Sequence, residues 1–458
     1  MERTEKSPLI APVRVVRPSA VRLVSRPFTR VVALVCICLA IFTLSAQITQ
    51  PTVLKGDDNF PELASYCSHV APISSSEFYS RQLALAEVLH RLNASAYIAE
   101  PGASALYYAN VSSSSWRLSE RPLLLILSPH VADDGTITPR ISLLTPSFEA
   151  TRAKLLPIPA KEVLYPEWPE EVNPFDVAVG ALPSLQDGAK VFVDGSIRNF
   201  IVDGMQNAAP QAKVSTAPVE IRRIRERKSS TELEIMKCAN EATLASIRAV
   251  RERFFFGIKE SQGSDLVARA LTSAGLSDGS GIVLFGENAA LPHGSGTDRA
   301  LGPSDYALID CGGSLHGYTS DVTRTFLLKE SKVSQRHLAI WGMVRVAQTR
   351  ALEAARAGVL AKDVDTAARN SLGEEGFGSY FSHRLGHGIG LEGHESPYLN
   401  GASTDVLMSG HSFSDEPGVY IEGEVGVRLE DCFYINDEGL AVYLTEGAGG
   451  QAKSPWVL

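Results

Sequence analysis

The chain has 458 residues, of which 44% are hydrophobic and 21% are charged. These proportions are ordinary for a globular protein, so they exclude extensive disorder, collagen-like repeats and a multi-span membrane protein for most of the chain. The formal net charge of −9 argues against nucleic acid as the main partner, because phosphate binding needs a basic face. The length predicts two or three domains.

The first residues differ from the rest of the chain. Residues 1–30 carry seven basic and two acidic side chains, and the apolar run over 31–48 that follows carries no charge. We interpret these segments as a basic cytosolic tail and a transmembrane signal-anchor, because basic flanks stay on the cytosolic side of a membrane. This interpretation predicts a single-pass type II membrane protein whose remaining domains are lumenal or extracellular. The alternative is secretion after cleavage of a signal peptide.

A stalk and a smaller domain are predicted next. Residues 49–74 are polar and predict the stalk. Helical and strand patterns alternate over 75–217, beginning with the helical spacing of Ser76–Leu92, and this alternation predicts an α/β domain. The domain holds no site motif, so we expect it to act as a scaffold or lid. The acceptor triplets at Asn93 and Asn110 predict a glycoprotein.

A second domain is predicted over 218–458. The basic run 222–228 marks its boundary, and we interpret this run as the solvated face of a linker rather than as a binding patch. Ser229-Ser-Thr-Glu232 is a capping box that predicts the start of a long helix. Further helices are predicted over 334–357 and 363–372. The spacing of the cysteines leaves open whether any two of them pair among Cys67, Cys238, Cys311 and Cys432.

Two acidic residues occupy corresponding places in a predicted hairpin. An apolar strand ends in Asp310, a Gly-rich turn follows, and a Thr/Val-rich strand begins at Asp321. A turn that is symmetric about residues 315 and 316 would place Asp310 directly opposite Asp321. Cross-strand partners have Cβ atoms about 4.5–5.5 Å apart. Two carboxylates at that distance repel each other unless a cation lies between them or one is protonated.

The same arrangement recurs in a later segment. A hairpin centred on Gly423 sets Glu416 opposite Glu430. A single acidic pair in a hairpin is usually solvated, but two such pairs flanked by β-branched residues favour a site that binds cations. Three of the chain's ten histidines fall within twelve residues between the two hairpins, namely His383, His387 and His394.

This donor set predicts both the metal and the chemistry. One histidine with four carboxylates is a hard, oxygen-rich set that suits Mn²⁺ first, with Zn²⁺, Co²⁺ or Fe²⁺ as alternatives, and it disfavours copper. Five protein ligands are too many for one catalytic ion that keeps an open position. We therefore expect two divalent metal ions about 3.5–4 Å apart. Such a pair lowers the pKa of a shared water and polarises a carbonyl, which is hydrolase chemistry.

These residues, in this order, resemble the creatinase, aminopeptidase P and prolidase family of pita-bread metallopeptidases, in its Xaa-Pro peptidase branch. The resemblance covers residues 220–440 and is carried by Gly-Tyr-Thr-Ser-Asp321-Val-Thr-Arg-Thr-Phe, His383-Arg-Leu-Gly-His387-Gly-Ile-Gly-Leu and Gly426-Val-Arg-Leu-Glu430-Asp. It implies an α+β fold class. A pita-bread catalytic domain, in which helices cover a curved antiparallel sheet, would follow a smaller α/β creatinase-type N-terminal domain.

The resemblance also implies a role for each residue. The implied metal ligands are Asp310 on one ion, Asp321 and Glu430 bridging both ions, and His387 with Glu416 on the second ion. The implied catalytic residues are Glu416 as general base, His394 as oxyanion donor, His383 lining the site, His293 contacting the substrate, and Arg428 supporting the carboxylates. Creatinase itself lacks this metal set, so the chain departs from that branch. Asp415 stands where many members have a hydroxyl residue.

The implied function is dinuclear metal-dependent hydrolysis of the N-terminal Xaa-Pro peptide bond, with a metal-bridged hydroxide attacking the scissile carbonyl, as in a Xaa-Pro aminopeptidase. The partners would be peptides with proline at the second position, and a homodimer is implied as well. A prolidase-like Xaa-Pro dipeptidase is a close alternative. A catalytically inactive pita-bread binding module is an alternative from another class, and retention of all five ligand positions argues against it.

Overall fold

The computed structural model describes residues 59–458. The predicted tail over 1–30 and the signal-anchor over 31–48 lie outside the described residues, as does the first part of the stalk. Within residues 59–458, no helix is both long and apolar enough to cross a lipid bilayer. On this finding we correct the prediction of a type II membrane protein. Neither the membrane anchor nor the lumenal or extracellular location is carried further.

The smaller domain consists of short helices and one mixed sheet. Its helices are α1 (Ser75–Arg91), α2 (Ala103–Ala109), α3 (Ala150–Lys154), α4 (Pro174–Gly180) and α5 (Asn199–Ala208). Its strands are β1 (Ala94–Ala99), β2 (Leu124–Val131), β3 (Ile137–Pro146), β4 (Val163–Leu164), β5 (Glu167–Trp168), β6 (Lys190–Val193) and β7 (Lys213–Thr216). In the described structure the strand order is β4-β3-β2-β1-β6-β7, with β5 beside β3.

Successive residues of the central strands enter two different cores, one on each face of this sheet. Tyr97 packs on the face covered by α1 and α2, whereas Ile98 packs on the face covered by α4 and α5. Because both faces are covered, the strands are continuously apolar rather than alternating. Helix α1 begins after Ser74, whose side chain accepts the N–H of Glu77 at 3.2 Å, and it matches the predicted helix Ser76–Leu92.

The second part of the chain adds longer helices and further sheets. Its helices are α6 (Val219–Glu226), α7 (Ser230–Arg251), α8 (Glu260–Ser273), α9 (Gln335–Ala354) and α10 (Ala361–Glu374). Its strands are β8 (Ser277–Phe285), β9 (Ala307–Leu315), β10 (Tyr318–Thr319), β11 (Val322–Phe326), β12 (Gly386–Gly388), β13 (Glu395–Leu399), β14 (Ser412–Asp415), β15 (Gly418–Ile421), β16 (Val425–Arg428), β17 (Asp431–Ile435) and β18 (Ala441–Tyr443).

These strands lie between two pairs of helices. Helices α7 and α8 share one core with β8, β9 and β11, while α9 and α10 share another with β14, β16 and β17. The predicted capping box is confirmed, because Ser229 accepts the N–H of Glu232 and the Glu232 carboxylate accepts the N–H of Ser229. The helices thus enclose the sheets from both sides and hold the two acidic hairpins in a buried setting.

Residues 59–74, which fall within the stretch predicted as a stalk, pack against the second part of the chain. Phe60 and Leu63 are buried in the core that contains α7. A disulfide joins Cys67 to Cys238 of α7, and the two cysteines are 171 positions apart in sequence. The segment is therefore held by both apolar contact and a covalent bond, and within the described residues Cys311 and Cys432 are the free cysteines.

Candidate metal centre

The first acidic pair lies at the end of the β9–β11 hairpin, in a register that differs from the prediction. Asp310 pairs with Thr323 rather than with Asp321. The turn residues are His316 and Gly317, both at positive φ (50° and 90°), so the turn is centred one residue later than predicted. Asp321 therefore lies diagonally across from Asp310. The resulting offset of two residues keeps both carboxylates on one face of the sheet, because side chains alternate with period two.

The second acidic pair has the predicted register. Asp415 pairs with Asp431, and the strands beyond this pair continue in the same register to a turn that contains Gly423, at φ 72°. Glu416 consequently lies opposite Glu430, as the sequence predicts. Gly423 adopts positive φ without the steric cost that a side chain would bring.

The two hairpins meet at Thr323. The backbone N–H of Glu430 donates to the Thr323 carbonyl at 3.0 Å, and the Thr323 hydroxyl donates to the Glu430 carboxylate at 2.6 Å. This contact brings possible metal-ligating atoms to within 4.8 Å of one another in overlapping groups. Two of these groups share Glu430. One consists of Asp310, Asp321 and Glu430, and the other consists of His387, Glu416 and Glu430.

His387 reaches these carboxylates from β12 and is almost fully buried. Its Nε2 lies 3.3 Å from a carboxylate oxygen of Glu416 and 3.8 Å from one of Asp321. Its Nδ1 lies 3.1 Å from the Gly388 carbonyl oxygen, so a proton on Nδ1 would leave Nε2 able to bind a cation. A Cβ at Gly386 would lie 2.0 Å from a backbone oxygen, and only glycine permits this approach.

The acidic cluster sets four carboxylates against one guanidinium, that of Arg428. Burial raises the pKa of Asp321 well above its usual range, and repulsion from Asp310 and Glu416 adds to the effect. Burial likewise raises the pKa of Glu430, with repulsion from Asp321 next in importance. Burial also raises the pKa of Glu416, but the hydrogen bond and charge of His387, together with the charges of His383 and Arg428, lower it by more, so the net shift is downward. A cation among these groups would relieve the repulsion.

Arg428 connects the acidic cluster to His383. Its guanidinium donates to an Asp310 oxygen at 2.5 Å and to the Tyr420 hydroxyl at 3.1 Å. The Tyr420 hydroxyl lies 2.8 Å from Nε2 of His383. Burial lowers the pKa of His383, which favours the neutral imidazole. The structure thus brings Arg428 and His383 next to the predicted ligands through one hydroxyl.

The two other predicted catalytic histidines lie in exposed positions. The His394 ring lies 4.1 Å from the His387 ring, measured between centroids. A ring nitrogen of His394 also lies within 4.8 Å of a carboxylate oxygen of Asp321 and of a ring nitrogen of His387. His293 lies on the loop before β9, and within residues 59–458 no hydrogen bond joins it to the acidic cluster. Its neighbour Pro292 accepts a hydrogen bond from Arg428 at 3.4 Å.

Sequence reasoning missed two residues that share the face of the predicted ligands. Thr323 bonds Glu430, and Tyr420 bonds both Arg428 and His383. Strand periodicity could have found them, since Thr323 follows Asp321 by two residues and Tyr420 follows Glu416 by four.

A buried network behind the cluster was also missed. The Arg324 guanidinium lies 2.7 Å from Asp431, and both side chains are fully buried. Gln348 and Thr445 also donate to the Asp431 carboxylate. No local pattern predicts the contacts of Arg324 and Gln348, which lie 107 and 83 positions from Asp431 in the chain.

The described residues fit a divalent cation. Four carboxylates and one imidazole nitrogen converge, and oxygen-rich donors of this kind suit hard divalent metals. A groove of about 420 Å³ runs beside the cluster and is lined in part by Asp278, Asp310, Asp321 and Gly393. The site therefore combines cation ligands with space for a small substrate.

The fold is similar to that of a solved dipeptidase and of a solved prolidase. Dipeptidase PepE from Mycobacterium ulcerans is 28% identical, with a TM-score of 0.72 over 82% of this chain and 97% of that one. The prolidase from Pyrococcus horikoshii is 26% identical, with a TM-score of 0.68 over 80% of this chain and 98% of that one. These likenesses confirm the predicted α+β fold class, a pita-bread domain with a smaller α/β domain before it.

Sequence comparison identifies the family. Residues 234–437 match the model of metallopeptidase family M24. An uncharacterized peptidase of Schizosaccharomyces pombe is 39% identical over 389 residues, which cover 84% of this chain and 84% of that protein. The resemblance to the creatinase, aminopeptidase P and prolidase group is thereby confirmed. The chain belongs to metallopeptidase family M24.

Proposed function

We propose that the protein is a dinuclear metal-dependent peptidase that hydrolyses the N-terminal Xaa-Pro bond of peptides. One observation carries the proposal: four carboxylates and a histidine converge in a largely buried site whose like charges need divalent cations between them. The likeness to a prolidase supports Xaa-Pro substrates. Proline has no N–H and a fixed φ, so a peptidase for this bond needs a shaped pocket.

Two divalent metal ions, with Mn²⁺ as the first choice, are proposed as cofactors. Asp310, Asp321 and Glu430 would hold one ion, and His387, Glu416 and Glu430 would hold the other, in agreement with the two overlapping groups of donors. When bound, these ions would supply an activated water and a polarised scissile carbonyl. The oxygen-rich donor set supports Mn²⁺ over copper.

Glu416 is proposed as the general base. Its lowered pKa keeps the carboxylate ionised at neutral pH, so that it can accept a proton. The Ser414 hydroxyl donates to it at 3.2 Å, which orients the carboxylate. His394 is proposed to donate a hydrogen bond to the oxygen that gains charge during attack, and its exposure leaves the ring accessible to a substrate.

The remaining catalytic residues are proposed to support this geometry. Arg428 would hold Asp310 in place, and His383, fixed through Tyr420, would line the site. The role of His293 in substrate contact stays a prediction from the family resemblance, as does a homodimer.

Substrate length divides two candidate functions. The family resemblance favours an aminopeptidase P-like enzyme, which would accept peptides longer than two residues. The likeness to a dipeptidase and a prolidase supports an enzyme restricted to dipeptides. Both candidates use the same cluster, so they differ in what the far end of the groove accepts.

The test is hydrolysis of Ala-Pro, Ala-Pro-Pro and Ala-Ala-Ala by the purified protein, before and after chelation and with Mn²⁺ restored. We expect Mn²⁺-dependent cleavage of the two proline peptides and little cleavage of Ala-Ala-Ala. Cleavage of Ala-Pro alone would select the dipeptidase candidate. Absence of metal-dependent turnover of every proline peptide would refute the enzyme and favour the inactive binding module.

A further inference from the structure

The basic run at residues 222–228 is only partly the solvated linker face that its composition predicts. Arg222, Arg223 and Arg227 are exposed, but Lys228 is 7% exposed. Its backbone N–H donates to the Gly410 carbonyl at 2.7 Å. A lysine is rarely buried unless its charge is paired, so its partner is informative.

The Lys228 ammonium has a complete set of acceptors. Its Nζ lies 2.6 Å from a carboxylate oxygen of Glu395, and both side chains are almost fully buried. It also donates to the backbone carbonyls of Arg225 and Glu226, each at 3.2 Å. Three donors thus meet three acceptors, which is the full capacity of an ammonium group. A buried pair with this geometry fixes Glu395 firmly.

Helix α6 also binds residues 389–396, which join β12 to β13 and include the start of β13, and which we call the His394 loop. The Arg225 guanidinium bonds the Glu392 carboxylate and lies 3.6 Å from the second oxygen of Glu395. The Ser396 hydroxyl donates to Glu226 at 2.7 Å. These contacts fall on both sides of His394 in sequence.

The smaller domain reaches this loop through Arg225. The guanidinium donates to the Ser104 hydroxyl of α2 at 3.3 Å, and Ser104 donates to Asp194, which follows β6, at 2.6 Å. Within residues 59–458, no hydrogen bond of its own holds the His394 ring. The position of the His394 ring therefore depends on the backbone of the loop to which Arg225 and Lys228 bind.

We propose that Lys228 and Arg225 are positioning residues, which hold His394 beside the metal centre by fixing Glu395 and Glu392. The smaller domain then takes part in the reaction, since it braces Arg225. This inference rests on the proposed function for its effect on turnover, but not for its effect on the loop.

Three single variants test the proposal. Lys228→Met removes the central ammonium. Arg225→Gln removes the outer contacts and leaves the Lys228–Glu395 pair in place, so it tests the same loop without breaking the buried ion pair. Arg223→Gln is the matched control, because it removes the same charge from an exposed position on the same helix. We expect kcat to fall about 10- to 100-fold in the first two, with bound Mn²⁺ and KM nearly unchanged and the control at wild-type level.

The same variants in a His394→Ala background separate positioning from general damage. A residue that acts through His394 loses its effect once His394 is absent, so we expect Lys228→Met and Arg225→Gln to change kcat less than about twofold there. An undiminished loss in that background would overturn the proposal, as would wild-type kcat in both single variants.

Hydrogen–deuterium exchange gives a readout that needs no turnover. We expect Lys228→Met or Arg225→Gln to speed exchange over 389–399 while exchange over 307–326 stays at the wild-type rate. Unchanged exchange over 389–399 would overturn the proposal. If the wild-type protein cleaves no proline peptide while the variants show the expected change in exchange, the proposed function is refuted and the loop assignment is retained.

Discussion

Glu430 and Asp431 are neighbours in the chain, yet they lie in two regions with opposite charge balance. Glu430 faces Asp321, Asp310 and Glu416, and its pKa is raised by burial and by their repulsion. Asp431 faces Arg324 at 2.7 Å and accepts further hydrogen bonds from Gln348 and Thr445. Both carboxylates are buried, so burial alone does not distinguish them.

The two regions differ in how far positive charge nearby offsets the charge of the buried carboxylates. The region around Asp431 contains its own cation and its own donors, so the Asp431 carboxylate is compensated without a ligand. The acidic cluster around Glu430 has one guanidinium, that of Arg428, for four carboxylates, so bound cations or protons must offset the rest. A buried carboxylate without such a partner is a candidate ligand, and one with a partner is a candidate for structural support. Four predictions test this division, from the largest expected effect to the smallest.

Asp321→Asn or Glu430→Gln should abolish metal binding and reduce metal-dependent hydrolysis on the order of a thousandfold, because bound metal supplies several kcal/mol of charge stabilisation. Metal-free protein should keep or gain stability, since each variant removes one charge from a repelling group. Elemental analysis and thermal unfolding after chelation measure the two effects. Unchanged metal content in either variant would refute the ligand assignment.

Asp431→Ala should behave in the opposite way and destabilise the protein by about 3–5 kcal/mol, because it leaves the buried Arg324 guanidinium without a counter-charge. The free energy of unfolding in urea, with and without Mn²⁺, measures the loss. Arg324→Met together with Asp431→Ala is the control and should recover part of the stability. A stability loss below about 1 kcal/mol in the single variant would break the comparison.

His411 lies in a third region, in which basic side chains surround a buried imidazole. Burial and the charges of Lys228, Arg227 and Arg223 lower its pKa from 6.5 to about 4. Between these values the unfolded state binds more protons than the folded state, so stability rises with pH across this window. We expect the free energy of unfolding to fall by on the order of 3 kcal/mol as pH drops from 6.5 to 4.

His411→Gln is the matched variant for this pH effect. It should remove that part of the pH dependence while other groups keep theirs, so the difference between the two unfolding profiles isolates His411. Parallel profiles for wild type and variant between pH 4 and 6.5 would contradict the lowered pKa.

Tyr420→Phe should have the smallest effect. It removes the hydroxyl that joins Arg428 to His383, and one or two lost hydrogen bonds cost about 1–2 kcal/mol of stability. Metal content should stay at the wild-type value, because Arg428 keeps its direct bond to Asp310. Loss of metal from this variant would move Tyr420 into the group of residues on which ion binding depends.

Local patterns predicted the second hairpin and failed at the first. A symmetric turn about Gly423 was sufficient, because glycine accepts the positive φ that the turn requires. In the first hairpin His316 also takes positive φ, which is uncommon for any residue other than glycine, so the turn centre was misjudged by one residue. The site still assembled on one face, because the resulting register offset is even.

Contacts between distant segments were beyond local reasoning. Lys228 belongs to a basic run whose composition predicts exposure to solvent. It is buried nonetheless, because Glu395, 167 positions away, supplies its counter-charge. The Arg324–Asp431 pair was missed for the same reason. Such partners are chosen by the fold and leave no spacing signal in the sequence.

The bond between Cys67 and Cys238 closes a covalent ring around the whole smaller domain. A protease that cuts once inside this ring, for example in the exposed turn at 132–136, opens it but releases nothing. Two fragments should appear on a denaturing gel only after a reducing agent is added. The domain that braces the His394 loop is thus tethered at both of its ends.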